Sequence, residues 1–258
     1  MICGFLEKGG FFGMIYIKKI EINTNFKSSV ESYVSKLDVI NSLKEVTFTK
    51  PVTFFVGENG AGKSTFLEAI AVALGFNAEG GSKNFTFSTY STFSSLYKQL
   101  KIIKSPFRPR DGYFLRAESF YNVATNIEEM DSIKCKAPPV KLAYGGKCLH
   151  NISHGESILT LILERFMGNG LYILDEPETA LSPTNQLSIL ARINNLATKR
   201  NSQFIIVTHS PILMTCPNSE ILLFNKSGVN KVNYFETEHY TLTQHFLNAP
   251  EKFISEML

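Results

Sequence analysis

Residues Gly57-Glu58-Asn59-Gly60-Ala61-Gly62-Lys63-Ser64, followed by Thr65, constrain this chain more than any other stretch. They fit G-x-x-x-x-G-K-[ST] and stand between a short apolar run, Val52–Val56, and an amphipathic one, Ser64–Leu74. A strand before such a loop and a helix behind it are the context in which the pattern acts. Glycines let successive backbone N–H groups turn inward, and the positive end of the following helix adds to them, so the loop is a cradle for phosphates. Lys63 is then placed to reach the outer phosphates, and the Ser64 hydroxyl supplies one Mg²⁺ position. Phe66, Leu67, Ile70, Ala73 and Leu74 give the predicted helix its apolar side, and Gly75 is placed to stop it.

Two further apolar runs, Leu171–Leu174 and Phe204–Val207, also read as buried strands, and each ends in a polar cluster, DEPETALSP and THSP. A strand that stops in a polar loop before a helix is the unit of a parallel sheet, whose ligands sit at the carboxyl ends. The three clusters are therefore expected to share one site. Asp175 is placed to hold Mg²⁺, and the adjacent Glu176 to polarise an attacking water, since a chelating carboxylate cannot easily serve as base as well. His209, at the end of its strand, is placed to sense the terminal phosphate. Ser153-His154-Gly155-Glu156 is both a helix capping box and, with its glycine, an anion-binding helix start. Its helix is predicted to run apolar through Phe166 to Gly168, and another to start at Ser182-Pro183 with Leu187, Leu190, Ile193 and Leu196–Ala197 repeating. Glu220–Phe224 and Lys231–Phe235 read as an antiparallel pair turning at Ser227-Gly228.

The rest of the sequence excludes more than it assigns. Its 258 residues, 44% of them hydrophobic, suffice for one large core, and residues 14–258 are expected to form one domain. Residues 76–110, richer in Ser, Thr, Lys and Gly, are expected as an inserted lobe, and 1–13 as an N-terminal extension, which leaves Met14 as a second candidate start. The formal charge of +3 is too small for a nucleic-acid coat or a polybasic anchor, although Lys98, Lys101, Lys104, Arg108 and Arg110 cluster without an acid among them. Four cysteines without a C-x-x-C offer neither a zinc site nor a redox pair and fit a reduced cytoplasmic setting. No apolar run approaches the roughly 20 residues that span a bilayer.

In their order and spacing, GENGAGKST, SHGES, LYILDEPETALS and FIIVTHS resemble an ABC-type ATPase head. Ser64 and Ser153 lie 89 positions apart, Ser153 and Asp175 22, and Glu176 and His209 33. Through FNAEGGSKNFTFST, RPRDGYFLRAESFYNVAT and ETEHYTLTQHFLN the resemblance extends to small stand-alone AAA-annotated ATPases related to SMC and RecF heads, over nearly everything after Met14. It implies an α/β P-loop fold with a mixed sheet, an inserted lobe and a C-terminal β/α extension, with ATP and Mg²⁺ as ligands. Gly57, Glu58, Asn59, Gly60, Ala61, Gly62, Lys63, Ser64 and Thr65 resemble Walker A, and Asp175 and Glu176 resemble Walker B with its catalytic glutamate. Ser153, Gly155 and Glu156 resemble the signature that faces the other subunit's nucleotide, Ala180-Leu181-Ser182 the D-loop, and His209 the switch histidine. His154 stands where most signatures have glycine. No Gln ends a strand in the Q-loop interval, where Tyr113–Ala117 followed by Glu118 stands in and makes Glu118 a third metal-site residue.

The resemblance implies an ATPase forming an ATP-dependent homodimer that drives or licenses a protein effector; DNA metabolism or defence is compatible with it, and DNA is left open as a partner. A second expectation is a slow-turnover switch reporting ATP occupancy to an effector such as a nuclease. Against a transporter motor stands Glu156, where transporters usually carry Gln. No heptad run separates Ser64 from Ser153, so long coiled-coil arms are not expected. Asn225-Lys226-Ser227-Gly228 lacks the carboxylate of a guanine-reading motif, which favours adenine.

Overall fold

The computed structural model describes residues 13–23, 39, 42–83, 94–132, 138–146 and 149–257. Residues 1–12 of the expected extension, part of the 76–110 segment, and Cys3, Cys135 and Cys148 lie outside them.

Uninterrupted apolar runs make strands buried on both faces, and such strands occupy the middle of a parallel sheet. Here those strands are β3 (Val52–Gly57), β6 (Gly170–Asp175) and β7 (Gln203–Val207), in which every residue is buried. They form a six-stranded sheet with β5 (Asp111–Arg116), β8 (Ser219–Asn225) and β9 (Gly228–Val232), in the order β5-β6-β7-β3-β8-β9. All pairings are parallel except β8 with β9, so five carboxyl ends meet along one edge. A smaller antiparallel sheet, β2-β1-β4, joins Glu45–Thr47, Ile17–Ile22 and Leu100–Lys104. Part of the 76–110 segment thus completes this sheet as β4.

Side-chain alternation along β3 divides the core. Val52, Phe54 and Val56 face α2 (Phe120–Ser132), α3 (His154–Thr160) and α4 (Pro183–Lys199). Phe55 faces α1 (Lys63–Ala73) and the small sheet, where Phe66, Leu67 and Ile70 are buried with Ile17 and Ile20. Helix α1 is thereby fixed between two sheets, and the loop at its start is fixed with it. Gly75 ends α1 at φ +86°.

Several expectations shift in detail. Leu187 is 55% exposed, and Ile189 takes the core position with Ile193, Leu196 and Ala197. Spacings of four, seven and eight from Ile189 keep these on one face of α4, whereas Leu187 lies about 200° around the helix. The helix after Ser153 is α-helical only through Thr160 and widens to a π-turn over Leu161–Arg165. That turn keeps Leu161 and Ile162 buried while both carboxylate oxygens of Asp111 accept from Arg165 Nη1 at 3.0 Å. The second strand of the hairpin stops at Val232, because Asn233 caps a short 3₁₀ turn over Tyr234–Glu236. The chain closes with α5 (Glu238–Asn248) and α6 (Pro250–Met257). Cys216 is free and buried, and burial pushes its thiol up to about 12, which makes it unreactive. No helix among the described residues is long and apolar enough to cross a membrane.

Candidate functional site: a phosphate cradle beside an acid pair

Gly57 ends β3 at φ +138°, directly opposite Phe224 of β8. A Cβ there would stand 2.2 Å from the Phe224 carbonyl oxygen, so only glycine lets the loop leave the sheet at this point. Gly62, at φ +88°, begins α1 with no side-chain cap and no acid in the first turn. The first N–H groups of an 11-residue helix are therefore left to something other than a cap, and its positive end is unopposed. Such a start fits a polyphosphate. Lys63 is buried, and its Nζ donates to the carbonyls of Gly57 and Glu58 at 2.7 and 2.8 Å. Burial lowers its pKa, while the carboxylates of Glu176 and Asp175 act in the opposite direction. Glu58, Asn59 and Gly60 are exposed at the loop's crest.

Strand β6 delivers the acids. Asp175 is buried, and its Oδ1 accepts from Ser64 Oγ at 2.9 Å, the one direct bond between the cradle and the acid pair. Burial pushes its carboxyl up to about 6, against the lowering effects of the Ser64 bond and the Arg116 guanidinium. A hydroxyl and a carboxylate brought together at the foot of a phosphate cradle are hard oxygen donors that suit Mg²⁺. Glu176 sits at φ +48°, a left-handed conformation that a non-glycine residue holds only when its surroundings impose it. Its N–H donates to Val207 O at 3.0 Å, and its Oε1 lies 3.6 Å from His209 Nε2.

Three residues complete the site that sequence reasoning did not single out. Glu178 is half-buried, and its Oε1 accepts from Thr208 Oγ1 at 2.8 Å, His209 N at 2.6 Å and Ser210 N at 3.2 Å. This carboxylate folds the turn that presents His209, and burial raises its pKa. Its signal in the sequence was the second acid of D-E-P-E. His239, from the first turn of α5, sets Nε2 2.8 Å from His209 Nδ1. Arg116, last in β5 and in register with Asp175, pairs with Glu68 and brings Nε to 4.0 Å from Asp175 Oδ2. Glu118 is exposed, 3.7 Å from Arg116 Nη2, and lines with Ser64, His154, Asp175 and Glu176 a cleft of 410 Å³.

The Ser153 segment forms its capping box in full. Ser153 Oγ accepts from Glu156 N at 3.3 Å, and Glu156 Oε2 accepts from Ser153 N at 3.0 Å. Gly155 is buried against Ala180, itself at φ +66°, and a Cβ on Gly155 would come 2.3 Å from the Ala180 carbonyl oxygen. Leu181 is buried beside it, and Ser182 caps α4 by accepting from Asn185 N. The structure thus unites Lys63, Ser64, Asp175, Glu176 and His209, while Ser153, Gly155 and Glu156 pair with one another and with the Ala180 turn. Because the obstruction at Gly155 is backbone, Gly155→Ala is expected to destabilise the protein by about 1–3 kcal/mol in urea unfolding, despite alanine's better helix propensity.

The basic cluster lies apart from this site. Lys101, on β4, pairs with Glu21 at 2.9 Å, and the charge of Lys104 helps lower the pKa of Lys83 after the larger effect of burial.

A family model described as "AAA domain" matches residues 16–141. A second, described as "AAA domain, putative AbiEii toxin, Type IV TA system", matches residues 147–215. The first takes in the cradle, the second the acid pair and His209. The chain is 21% identical over 277 residues to ABC transporter G family member 2 of Dictyostelium discoideum, a match covering 98% of this chain and 20% of that protein. It therefore spans about a fifth of that relative's length. A solved "putative metal-chelate type ABC transporter", in an inward-facing conformation, superposes with a TM-score of 0.51 at 18% identity over 88% of each chain. The SMC head domain from Thermotoga maritima gives 0.40 at 15% identity, over 84% of this chain and 98% of that one.

Proposed function

We propose, from the premise that this chain is an ATP-binding domain of the ABC-type, AAA-described P-loop ATPases, that two copies clamp two ATP·Mg²⁺ and hydrolyse them to drive or license a partner protein. The observation carrying this reading is the Ser64–Asp175 hydrogen bond at 2.9 Å, which ties the phosphate cradle to the acid pair. Lys63 and the uncapped start of α1 bind and orient the phosphates, and catalysis is mostly positioning and charge neutralisation. Ser64 and Asp175 would hold magnesium, which would supply charge compensation for the phosphates. Glu176, free of the metal, orients the attacking water. His209 reads the terminal phosphate from the side of Glu176.

The start of α3 supports the two-chain arrangement, because Ser153, His154 and Glu156 are exposed there and accessible to a second chain. Dimer closure is tested by Glu176→Gln, which keeps the shape and removes the base. With saturating ATP and Mg²⁺ the variant is expected to double its mass in light scattering and revert when nucleotide is removed. A variant that stays monomeric under those conditions overturns the composite site.

Lys98, Lys101, Lys104, Arg108 and Arg110, close together in sequence, would contact DNA through its phosphates, and such binding is expected to fall steeply with salt. Glu156, where the resemblance implies Gln in transporter motors, favours an effector that is not a membrane subunit.

A further inference from the structure

We propose that His239 is a positioning residue that fixes the tautomer of His209 by donating its Nε2–H to His209 Nδ1. This rests on the ATPase reading above but concerns a residue outside both matched family-model ranges, 16–141 and 147–215. His209 Nδ1 and His239 Nε2 stand 2.8 Å apart, a hydrogen-bonding distance that holds one proton between them. Two neutral arrangements satisfy it. In one, His209 donates through Nδ1, and its Nε2 turns a bare lone pair toward the Glu176 carboxylate, 3.6 Å away. Lone pair then faces negative oxygen. In the other, His239 donates, and His209 carries its proton on Nε2, facing Glu176. Only the second arrangement is attractive at both ends of the ring. It leaves His209 as a donor on the side where Glu176 and the end of Lys63 converge.

The backbone of His209 is already held by Glu178, which accepts from the N–H groups of His209 and Ser210. Ring orientation and proton placement are left to His239. Its own position is secured by Thr237, which is buried, caps α5 by accepting from Tyr240 N, and donates Oγ1–H to Tyr234 O at 2.7 Å. The last strand-and-helix extension therefore contributes a group to the edge where β3, β6 and β7 end.

The test compares His239→Phe, which keeps a ring and loses the donor, with His239→Gln, whose amide N–H can take the place of Nε2–H. Nitrogen-15 spectra of imidazole-labelled protein report the tautomer directly, and deletion of one signal by His209→Gln assigns it among the five histidines. The wild type is expected to show His209 with the proton on Nε2, the Phe variant a mixture or the opposite tautomer, and the Gln variant the wild-type pattern. Turnover is expected to fall roughly 10–100-fold in His239→Phe and to return to within about threefold in His239→Gln, with ATP affinity nearly unchanged in both, as loss of proton placement without loss of binding requires. An unaltered His209 tautomer in a folded His239→Phe variant overturns the proposal, as does a Gln variant as slow as the Phe variant. The spectra need no turnover, so a wild type without ATPase activity refutes the functional reading while His239 is still judged by its effect on His209.

Discussion

Lys63→Ala is expected to reduce ATP affinity by about 30- to 1,000-fold, measured by titration with a fluorescent ATP analogue. The lysine is the only side chain of the cradle that brings a full positive charge, and it is buried with Nζ on the Gly57 and Glu58 carbonyls, inside the loop it serves. Charge-assisted bonds to phosphate are worth about 2–4 kcal/mol in a partly desolvated site, which is a factor of about 30 to 1,000. Alanine also leaves the Gly57 and Glu58 carbonyls without their donor, a cost to the stability of the nucleotide-free protein. Affinity unchanged within threefold would remove the central assignment.

Asp175→Asn is expected to separate catalysis from stability. Turnover with ATP·Mg²⁺ should drop by about 10³, because an amide is a poor magnesium ligand and the metal supplies several kcal/mol of charge compensation. Unfolding in EDTA should move the other way. The folded carboxyl is pushed up to about 6 from 3.8, chiefly by burial. As pH rises, the unfolded chain loses this proton first, so the contribution of the group to stability is largest below the unfolded value and declines until the folded value is passed. Above that the full cost, about 3 kcal/mol at roughly 1.4 kcal/mol per unit, is carried by the metal-free protein. Asparagine keeps an acceptor for Ser64 and removes the charge. The variant should therefore melt about 5 °C or more above wild type at pH 7.5, with the gap closing toward pH 4. A variant less stable at pH 7.5 would show that Arg116 and Ser64 already compensate the carboxylate.

Strands β3, β6 and β7 were legible because central parallel strands must be apolar on both faces, and the predicted runs Val52–Val56, Leu171–Leu174 and Phe204–Val207 fall within them. The capping box at Ser153 and the Ser182-Pro183 helix start were legible for a local reason, since their hydrogen bonds span only three residues. Strands β2 and β4 were not, because Glu45–Thr47 and Leu100–Lys104 owe their state to pairing with β1 across the fold. The same distinction runs through the site. Lys63, Asp175, Glu176 and His209 sit in patterns that carry their own context, whereas Glu178 and His239 gain meaning only from contacts 30 or more residues away. Arg116 was read as part of a loop stand-in, and its pairing joins the end of β5 to Glu68 of α1, 48 residues away.

The final two helices bury none of α5's side chains and expose Leu242, Leu247 and Ile254, yet through His239 they reach the ring of His209. The hairpin of α5 and α6 is therefore tied to the end of β7 through the 2.8 Å contact of His239 with His209, so strain on it bears on that contact.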